Sequence, residues 1–264
     1  MTQFTDIAVE TQGHVAVVEI KRPPHNFFDM SLIRQIADAF EGYDKDTKVR
    51  AIVLCAEGKS FCAGANFGDG SKLDAQGNRP NENQMGGHLY QEAVRLFRTK
   101  KPIVGAIQGA AIGGGLGLAL VPDFRVTCPE GRFAANFTRL GFHPGFGLTY
   151  TLPRLVGDQQ ANLMFYTGRR LNGEEATKIG PADVLVGGVA EVRPAAIKLA
   201  NDISESAPLA VQETRATVRK GMADAVKAAT DHELVVQSAL RKTEDFREGV
   251  RAVNERRVAN FQGR

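Results

Sequence analysis

Three short apolar segments, set apart by stretches with helical spacing, constrain the fold of this chain more than any other feature. They are VRAIVLCAEG at 49–58, PIVGAIQG at 102–109 and VPDFRVTCP at 121–129. Segments that are apolar at nearly every position are typical of strands buried on both faces, which occur in parallel sheets. Apolar residues repeat with helical spacing at 32–40 and at 89–97, ahead of the first and second segments. The sequence therefore predicts an α/β fold, with a mainly parallel sheet whose crossover helices cover its faces.

The two ends of the chain complete this plan. IAVETQGHVAVVEIKRP, at 7–23, predicts two strands around a tight turn. The helix over 32–40 has Ser31 as its predicted N-cap, because a serine hydroxyl can accept from the free N–H groups of the first turn. After about 194 the pattern becomes helical. We expect a helical extension over 196–264 whose apolar faces pack on the core or on a neighbouring subunit.

Composition narrows the possible partners. The chain has 264 residues, 43% of them hydrophobic, which is enough for a sizeable core, and its net charge of +3 leaves no strongly basic region for nucleic acid. Three cysteines, Cys55, Cys62 and Cys128, without a CxxC pair, indicate neither a disulfide framework nor a zinc site. The apolar run around 103–121 is interrupted by Gln108 and by glycines, so it is too short for a bilayer. We expect a cytoplasmic protein with no metal, no nucleic-acid partner and no membrane contact.

Three consecutive glycines stand in GAAIGGGLGLALVPD, at 109–123. Gly113, Gly114 and Gly115 follow the segment 102–109 and precede a predicted helix. Backbone N–H groups at such a junction can hold a phosphate, a carboxylate, or a carbonyl oxygen that gains negative charge. Packing of a helix on a sheet, which also requires small residues, explains the same glycines equally well. Nucleotide fingerprints do not fit, since GxxxxGK[ST] is absent and GGGLG lacks the strand and acid that should follow.

A second loop of small residues follows the first apolar segment. This loop, GKSFCAGANF at 58–67, lies at the predicted carboxyl end of a strand. Open α/β sheets bind their ligands at that end. Two such loops can direct two backbone N–H groups at one oxygen, which favours an oxyanion site over packing alone.

Six stretches, taken in order, resemble the crotonase superfamily, that is, the enoyl-CoA hydratase/isomerase family. They are PPHNFFDMSLIRQI, SFCAGANF, KPIVGAIQGAAIGGGLGLALVPDFRV, LGFHPGFGLTYTLPRLVG, YTGRRLNGEEATKIGPADVLV and TEDFREGVRAVNERRVANFQG. The resemblance spans almost the whole chain. It implies the crotonase (ClpP-like) spiral fold of ββα repeats, with an acyl-CoA-binding core over 1–195. It also implies a C-terminal helical region over 196–264 that forms a homotrimer or a dimer of trimers.

The resemblance implies an acyl-CoA thioester as substrate, with coenzyme A as part of that substrate and no permanently bound cofactor. The backbone N–H groups of Ala65 and Gly114 would hold the thioester oxygen as it becomes an enolate-like oxyanion. Arg22 and Arg257 match positions that approach coenzyme A. The implied substrate-binding positions are His25, Asn26, Ala63, Asn66, Phe67, Gly113, Gly117 and Phe137.

The match fails at the residues that carry the family's best-known reaction. Its hydratases use two glutamates as general acid and base, and these align with Gly117 and Phe137, neither of which can transfer a proton. Its dehalogenases use a nucleophilic aspartate, which aligns with Gly145. Asn66 replaces the usual aspartate beside Ala65, which weakens any inherited hydrogen-bond role there.

His143, in GFHPGFG, is the leading alternative acid or base, because histidine titrates near neutral pH and this loop lines the acyl pocket in the family. A histidine that only packs or hydrogen-bonds within the loop is the alternative interpretation. Four further side chains have weaker cases: His88 near the pocket mouth, Cys62 in the oxyanion loop, and Tyr150 and Asp123, for which a structural role is the simpler interpretation.

Three functions stay open at this point. The first is an enzyme of the enoyl-CoA hydratase type that lacks both usual glutamates. The second is a different enolate reaction on acyl-CoA, such as decarboxylation, isomerisation or C–C hydrolysis, run by His143 or by the substrate itself. The third is an acyl-CoA-binding protein without catalysis. The sequence favours a lyase or isomerase whose common step is enolate stabilisation, and it does not specify the acyl group.

Overall fold

The computed structural model describes residues 4–66 and 89–264. Strands lie at the predicted apolar segments and also at several three-residue pieces between them. The strands are β1 Ile7–Gln12, β2 Val15–Ile20, β3 Ala51–Ala56, β4 Ser60–Cys62, β5 Ile103–Ile107, β6 Ala110–Ile112, β7 Phe124–Thr127, β8 Arg132–Ala134, β9 Arg170–Asn172 and β10 Val184–Leu185.

Helices connect the strands and form most of the last third of the chain. They are α1 Met30–Lys45, α2 Leu89–Phe97, α3 Gly114–Ala119, a 3₁₀ helix Asn136–Leu140, α4 Leu148–Val156, α5 Asp158–Thr167, α6 Gly173–Ile179, α7 Val189–Ser204, α8 Pro208–Val218, α9 Met222–Leu240 and α10 Glu244–Asn254. Among these described helices, none combines the length and the apolar character that a membrane crossing requires.

Two sheets form the framework. In the described chain the larger sheet has the strand order β1-β2-β3-β5-β7-β10, and the smaller has the order β4-β6-β8-β9. The pairs β1–β2 and β8–β9 are antiparallel, and the other neighbours are parallel. The three apolar segments that stand out in the sequence are β3, β5 and β7, adjacent strands of the larger sheet. The predicted mainly parallel sheet is therefore confirmed.

Both faces of the larger sheet are buried. On β2, Val18 packs into the main core with α1 and the smaller sheet, while Val17 faces the opposite side. That opposite side is covered by α7, whose Val192, Ala196 and Ala200 pack on the sheet valines. This two-sided burial explains why the strand segments are apolar at nearly every position.

The predicted boundary between 195 and 196 lies inside α7. Because α7 covers one face of the larger sheet, the first turns beyond 196 belong to the same core as residues 1–195. The rest of the 196–264 region consists of α8, α9 and α10. Helix α9 packs against α2 and α4, and α10 packs against the 3₁₀ helix, so both helices contact the first two thirds of the chain. A role of this region in trimer formation stays a prediction.

The N-cap prediction for α1 is wrong. The helix begins at Met30, and Asp29 is the N-cap, with its carboxylate accepting from the Leu32 N–H at 3.0 Å. The Ser31 hydroxyl instead donates to the Asp6 carboxylate. Asp29 caps the helix two residues before the predicted position, because its extended backbone places the carboxylate over the helix end.

Asp123 joins the sheet to α8. Its carboxylate accepts from the Ile103 N–H at 2.8 Å and pairs with Arg215 at 2.8 Å and Arg219 at 2.6 Å. All three charged side chains are largely buried, which fits the structural interpretation of Asp123. Burial alone would raise the pKa of Asp123, but the two guanidinium groups lower it below its ordinary value.

We expect Asp123→Asn to lower the free energy of unfolding by about 3 kcal/mol, because it leaves two buried guanidinium groups without their counter-charge. Urea unfolding measures this loss. The sign with pH follows from the lowered pKa: the contribution is present above the unfolded-state value near 4 and disappears as the pH falls through the folded-state value. The variant should therefore lose less stability on acidification than the wild type.

Asp202→Asn, which breaks the exposed pair with Lys198, is the matched control and should change stability by about 0.5 kcal/mol or less. Equal effects of the two substitutions would contradict the assignment.

Candidate active site

The candidate site lies at one edge of the smaller sheet. Strands β4, β6 and β8 are parallel neighbours, so their carboxyl ends meet at the same edge. The loops that leave these ends carry Ala65, Gly114 and Phe137, respectively. All three loops line one cavity of about 250 Å³. This arrangement agrees with the expectation that ligands bind beyond the carboxyl ends of parallel strands.

The cavity is mostly apolar, with polar groups on its sides. The end of α10 and the residue that caps α9 contribute to it, and α10 packs against the 3₁₀ helix. In the part of the chain that the structure describes, the lining residues are Phe27, Phe28, Ala63, Gly64, Ala65, Asn66, Leu89, Tyr90, Ile112, Gly113, Gly114, Asn136, Phe137, Leu140, Phe142, Arg241, Val253 and Asn254. This set contains no aspartate or glutamate.

Two backbone N–H groups at this edge are available to a ligand. Among the described residues, neither the Ala65 N–H nor the Gly114 N–H has a hydrogen-bond acceptor. Gly114 opens α3, where the first N–H groups have no partner within the helix. A Cβ placed on Gly64 would lie 3.6 Å from the Gly114 nitrogen, so the two loops are in contact. The Ala65 and Gly114 N–H groups therefore lie on adjoining loops that line the same cavity.

The backbone around these donors is held by hydrogen bonds. The Phe28 N–H donates to the Gly64 carbonyl at 3.0 Å, and the Ala63 N–H donates to the His25 carbonyl at 3.0 Å. Gly113 has φ +58° and donates its N–H to the Ala134 carbonyl at 2.8 Å. Because a side chain rarely adopts that φ, glycine at 113 allows the turn that presents the next N–H.

Close packing explains the other two glycines of the triplet. A Cβ on Gly115 would overlap the Cys62 carbonyl oxygen, and a Cβ on Gly114 would overlap the Phe28 ring. The two interpretations of the triplet are thus compatible. The glycines let α3 approach the β4 loop closely, and this approach places the Gly114 N–H beside Ala65.

Aromatic rings fill the space beside Gly117 and Gly145, which align with the first hydratase glutamate and with the dehalogenase aspartate. A Cβ on Gly117 would lie 2.6 Å from the Phe146 Cβ, and a Cβ on Gly145 would lie 2.5 Å from the Tyr90 Cζ. Phe146 in turn contacts the Phe28 ring at a tilt and the Tyr90 ring edge to face, with ring centroids 5.7 Å and 6.1 Å apart. We call Phe28, Tyr90 and Phe146 the aromatic cluster. It occupies the space into which side chains at 114, 117 and 145 would extend.

Phe146 is held in an unusual conformation, with φ +65°. The loop beyond it is anchored by Glu233 of α9, a fully buried carboxylate. Glu233 accepts from the Gly147 N–H at 2.7 Å and from the Thr149 N–H and hydroxyl at 3.0 and 2.6 Å. Burial raises the pKa of Glu233, and these hydrogen bonds oppose the rise. This anchor fixes the Phe146 ring over Gly117.

His143 does not line the cavity. Its Nδ1 lies 2.8 Å from the Pro144 carbonyl oxygen, and its ring contacts His232 of α9 at a centroid distance of 6.1 Å. Its own carbonyl accepts from the Gln237 side chain at 2.7 Å. The side chain is thus directed toward α9, and an acid–base role for it stays a prediction.

Some of the predicted site residues line the cavity, some lie away from it, and two fall outside the described residues. The lining ones are Ala63, Ala65, Asn66, Gly113, Gly114 and Phe137. Gly117 lies behind the Phe146 ring. His25 is exposed on the loop between β2 and α1. Asn26 is fully buried, and its side chain hydrogen-bonds Glu57, Ser60 and Arg22 of the main chain. Phe67 and His88 lie outside the described residues.

Both predicted coenzyme A cations are engaged in ion pairs. Arg22 pairs with Asp6 and Asp29, each at 2.7 Å. Arg257 pairs with Glu248 and Glu255. Neither arginine lines the cavity in the described part of the chain, and contact of either one with coenzyme A stays a prediction.

The sequence does not predict several residues that shape the site. Asn136 stands directly before Phe137, so its place beside the predicted site could have been read from that neighbour. Phe28 and Tyr90 carry no chemical motif, and their pairing with glycines is visible only in three dimensions. Glu233 acts on residues 84 and 86 positions earlier in the chain, a separation that local patterns do not reveal.

Comparison with known proteins places the chain among acyl-CoA enzymes. The Enoyl-CoA hydratase/isomerase family matches residues 10–264. A crotonyl-CoA hydratase of Syntrophomonas wolfei is 33% identical over 98% of this chain and 98% of its own length. A carnitinyl-CoA dehydratase of Proteus mirabilis is 31% identical over 96% of this chain and 97% of its own length.

A solved structure agrees with the fold. The enoyl-CoA hydratase/isomerase of Pseudoalteromonas atlantica superposes with a TM-score of 0.86 at 27% identity, covering 98% of this chain and all of that protein. This similarity confirms the predicted crotonase fold. The chain belongs to the enoyl-CoA hydratase/isomerase family.

Proposed function

We propose that this protein is an acyl-CoA enzyme that stabilises a thioester enolate with the backbone N–H groups of Ala65 and Gly114. The observation that carries the proposal is the pair of N–H groups without acceptors at the edge of the cavity. Family relatives that act on crotonyl-CoA and carnitinyl-CoA, as their names state, support a CoA thioester as the ligand. Coenzyme A would enter as part of the substrate.

The chemistry follows from where charge develops. When a bond to the α-carbon breaks and leaves its electron pair on that carbon, the pair is delocalised onto the thioester carbonyl oxygen. Two fixed N–H donors stabilise that oxygen more strongly as its charge grows, and each such donor is commonly worth about 3 kcal/mol in the transition state. The apolar surroundings strengthen the effect, because little water competes for the oxygen.

The reaction that best fits this cavity needs no carboxylate from the protein. Among the described lining residues there is no aspartate or glutamate, and the aromatic cluster fills the places beside 117 and 145. In decarboxylation the departing CO₂ leaves its electron pair on the α-carbon, so no base is required, and a proton from solvent then adds to the α-carbon to give the product. We therefore favour decarboxylation or a similar enolate reaction over hydration by two glutamates.

Assembly into a homotrimer or a dimer of trimers is part of the proposal. Apart from the Arg215 side chain, which pairs with Asp123, the residues of helix α8 are exposed or only half-buried within the single chain. Leu209 and Val218 on this helix are 76% and 74% exposed. These exposed side chains, one at each end of α8, leave apolar surface that contact with another subunit would cover.

A panel of acyl-CoA thioesters, analysed by mass spectrometry, tests the proposed function. We expect crotonyl-CoA to gain water far more slowly than with a two-glutamate hydratase. We expect a thioester bearing a 2-carboxylate to lose the mass of CO₂. His143→Ala in the same assay tests the alternative in which this histidine transfers the proton, because that alternative requires the variant to lose activity. Hydration of crotonyl-CoA at ordinary hydratase rates would contradict the proposal, and failure of every acyl-CoA to raise the melting temperature would remove its basis.

A further inference from the structure

Asn136 lies beside the proposed oxyanion donors. It is the first residue of the 3₁₀ helix that follows β8, and it lines the cavity. A Cβ placed on Gly113 would lie 3.5 Å from the Asn136 Oδ1, so the side-chain amide sits against the glycine turn. Its neighbours in the lining include Phe137, Leu140 and Phe142, which offer no hydrogen bonds from their side chains.

No structural use of this amide is found in the described residues. Ala135, and not Asn136, is the N-cap of the 3₁₀ helix, without a side-chain hydrogen bond. Among those residues, no group hydrogen-bonds the Asn136 side chain. Two other asparagines show the contrast: Asn26 makes three hydrogen bonds to the main chain, and Asn172 caps α6.

A half-buried amide among aromatic and aliphatic side chains is unfavourable unless a partner satisfies it. The open side of Asn136 is the cavity, so the partner that remains is the ligand. The amide has two N–H donors and no charge, and it therefore suits an oxygen acceptor. Because the amide stands next to the turn that would hold the thioester oxygen, it is placed for the atoms next to the thioester carbonyl.

We propose that Asn136 is a specificity-determining residue that hydrogen-bonds an oxygen on carbon 3 of the acyl chain. The substrate is then a thioester of a 2-carboxy acid or a 3-oxo acid, and not a plain 2-enoyl or saturated chain. This assignment rests on the proposed function, since it requires the thioester to bind at Ala65 and Gly114. Both substrate types offer the same acceptor at the same position.

Two pairs of ligands of equal chain length test the assignment by titration calorimetry, and the KM replaces the dissociation constant for any ligand that the enzyme converts. Acetoacetyl-CoA is compared with butyryl-CoA, and malonyl-CoA with propionyl-CoA, on the wild type and on Asn136→Leu. We expect the wild type to bind at least one oxygen-bearing member about 10-fold more tightly than its partner, and the variant to lose that preference. The pair that shows the larger preference identifies the acceptor, and a carboxylate should give the larger value because its hydrogen bonds are charge-assisted.

Asn201→Leu makes the same change on an exposed helix position and should leave all four dissociation constants unchanged. Asn136→Asp keeps the assignment testable if the leucine variant misfolds. Its carboxylate should repel the malonyl carboxylate, so the binding of malonyl-CoA should weaken more than the binding of acetoacetyl-CoA. A uniform change in all four constants, or an unchanged preference, would overturn the assignment. If the wild type binds none of the four ligands, the proposed function and the Asn136 assignment both fail. If only the assignment fails, butyryl-CoA and propionyl-CoA still bind tightly.

Discussion

Gly114→Ala is expected to lower kcat by about 100-fold or more on the acyl-CoA that the panel identifies, because it displaces one of two oxyanion donors. The new methyl group would lie 2.6 Å from the Phe28 Cε1 and closer still to Cζ, so the ring or the turn must move. Phe28 is only 3% exposed and packs on Phe146, which leaves the ring little room. Steady-state kinetics measures the loss. We expect a loss of stability of about 1–3 kcal/mol beside it, typical of overpacking.

Two further variants separate catalysis from folding. Gly42→Ala adds the same methyl group to an exposed glycine of α1 with nothing within 4 Å, and it should keep full activity. Gly114→Ala combined with Phe28→Leu removes the overlapping ring atoms and should recover part of kcat. Wild-type kcat in the Gly114→Ala variant would show that this N–H is not an oxyanion donor.

Gly117→Glu is expected not to create a hydratase, although it restores a residue that hydratases of the family use. The Cβ would lie 2.6 Å from the Phe146 Cβ, and the carboxylate would enter an apolar region under the aromatic cluster. Overpacking and burial of an unpaired charge both destabilise the fold, by about 3 kcal/mol or more together. Thermal unfolding and a crotonyl-CoA hydration assay measure the two outcomes.

The same substitution at an exposed site gives the control for Gly117→Glu. Gly42→Glu lies on the open face of α1 and should be neutral or slightly stabilising. Gly117→Glu with Phe146→Gly removes the overlapping side chain and also the residue that holds φ +65°, so it should regain stability. A single Gly117→Glu variant with wild-type stability and new hydratase activity would contradict the account of the aromatic cluster.

The sequence predicts the fold where one pattern dominates. β3, β5 and β7 are apolar on both faces because the main core covers one side and α7 the other. The strands of the smaller sheet are only three residues long, too short to show a period, and these strands position the candidate site. The boundary at 195/196 falls inside α7 because a change of local pattern does not reveal which surface a helix covers.

The candidate site is predictable only in part, for physical reasons. Glycines at strand ends indicate the two loops in which a backbone approaches a ligand, and the resemblance to the crotonase superfamily singles out Ala65 and Gly114 within them. The reason why glycine stands at 117 could not be found, because the ring that fills its space comes from residue 146. His143 was singled out by its chemistry, but its orientation depends on contacts with Pro144 and α9, which only the folded chain displays.

Infrared difference spectroscopy of bound butyryl-CoA, with a ¹³C label in its thioester carbonyl, tests the central claim most directly. Two N–H donors from Ala65 and Gly114 polarise the carbonyl, which weakens its double bond. The account predicts that the labelled band moves to lower frequency on binding than in water, and that Gly114→Ala reverses part of this shift. A bound thioester whose carbonyl frequency equals that in water would contradict the oxyanion site.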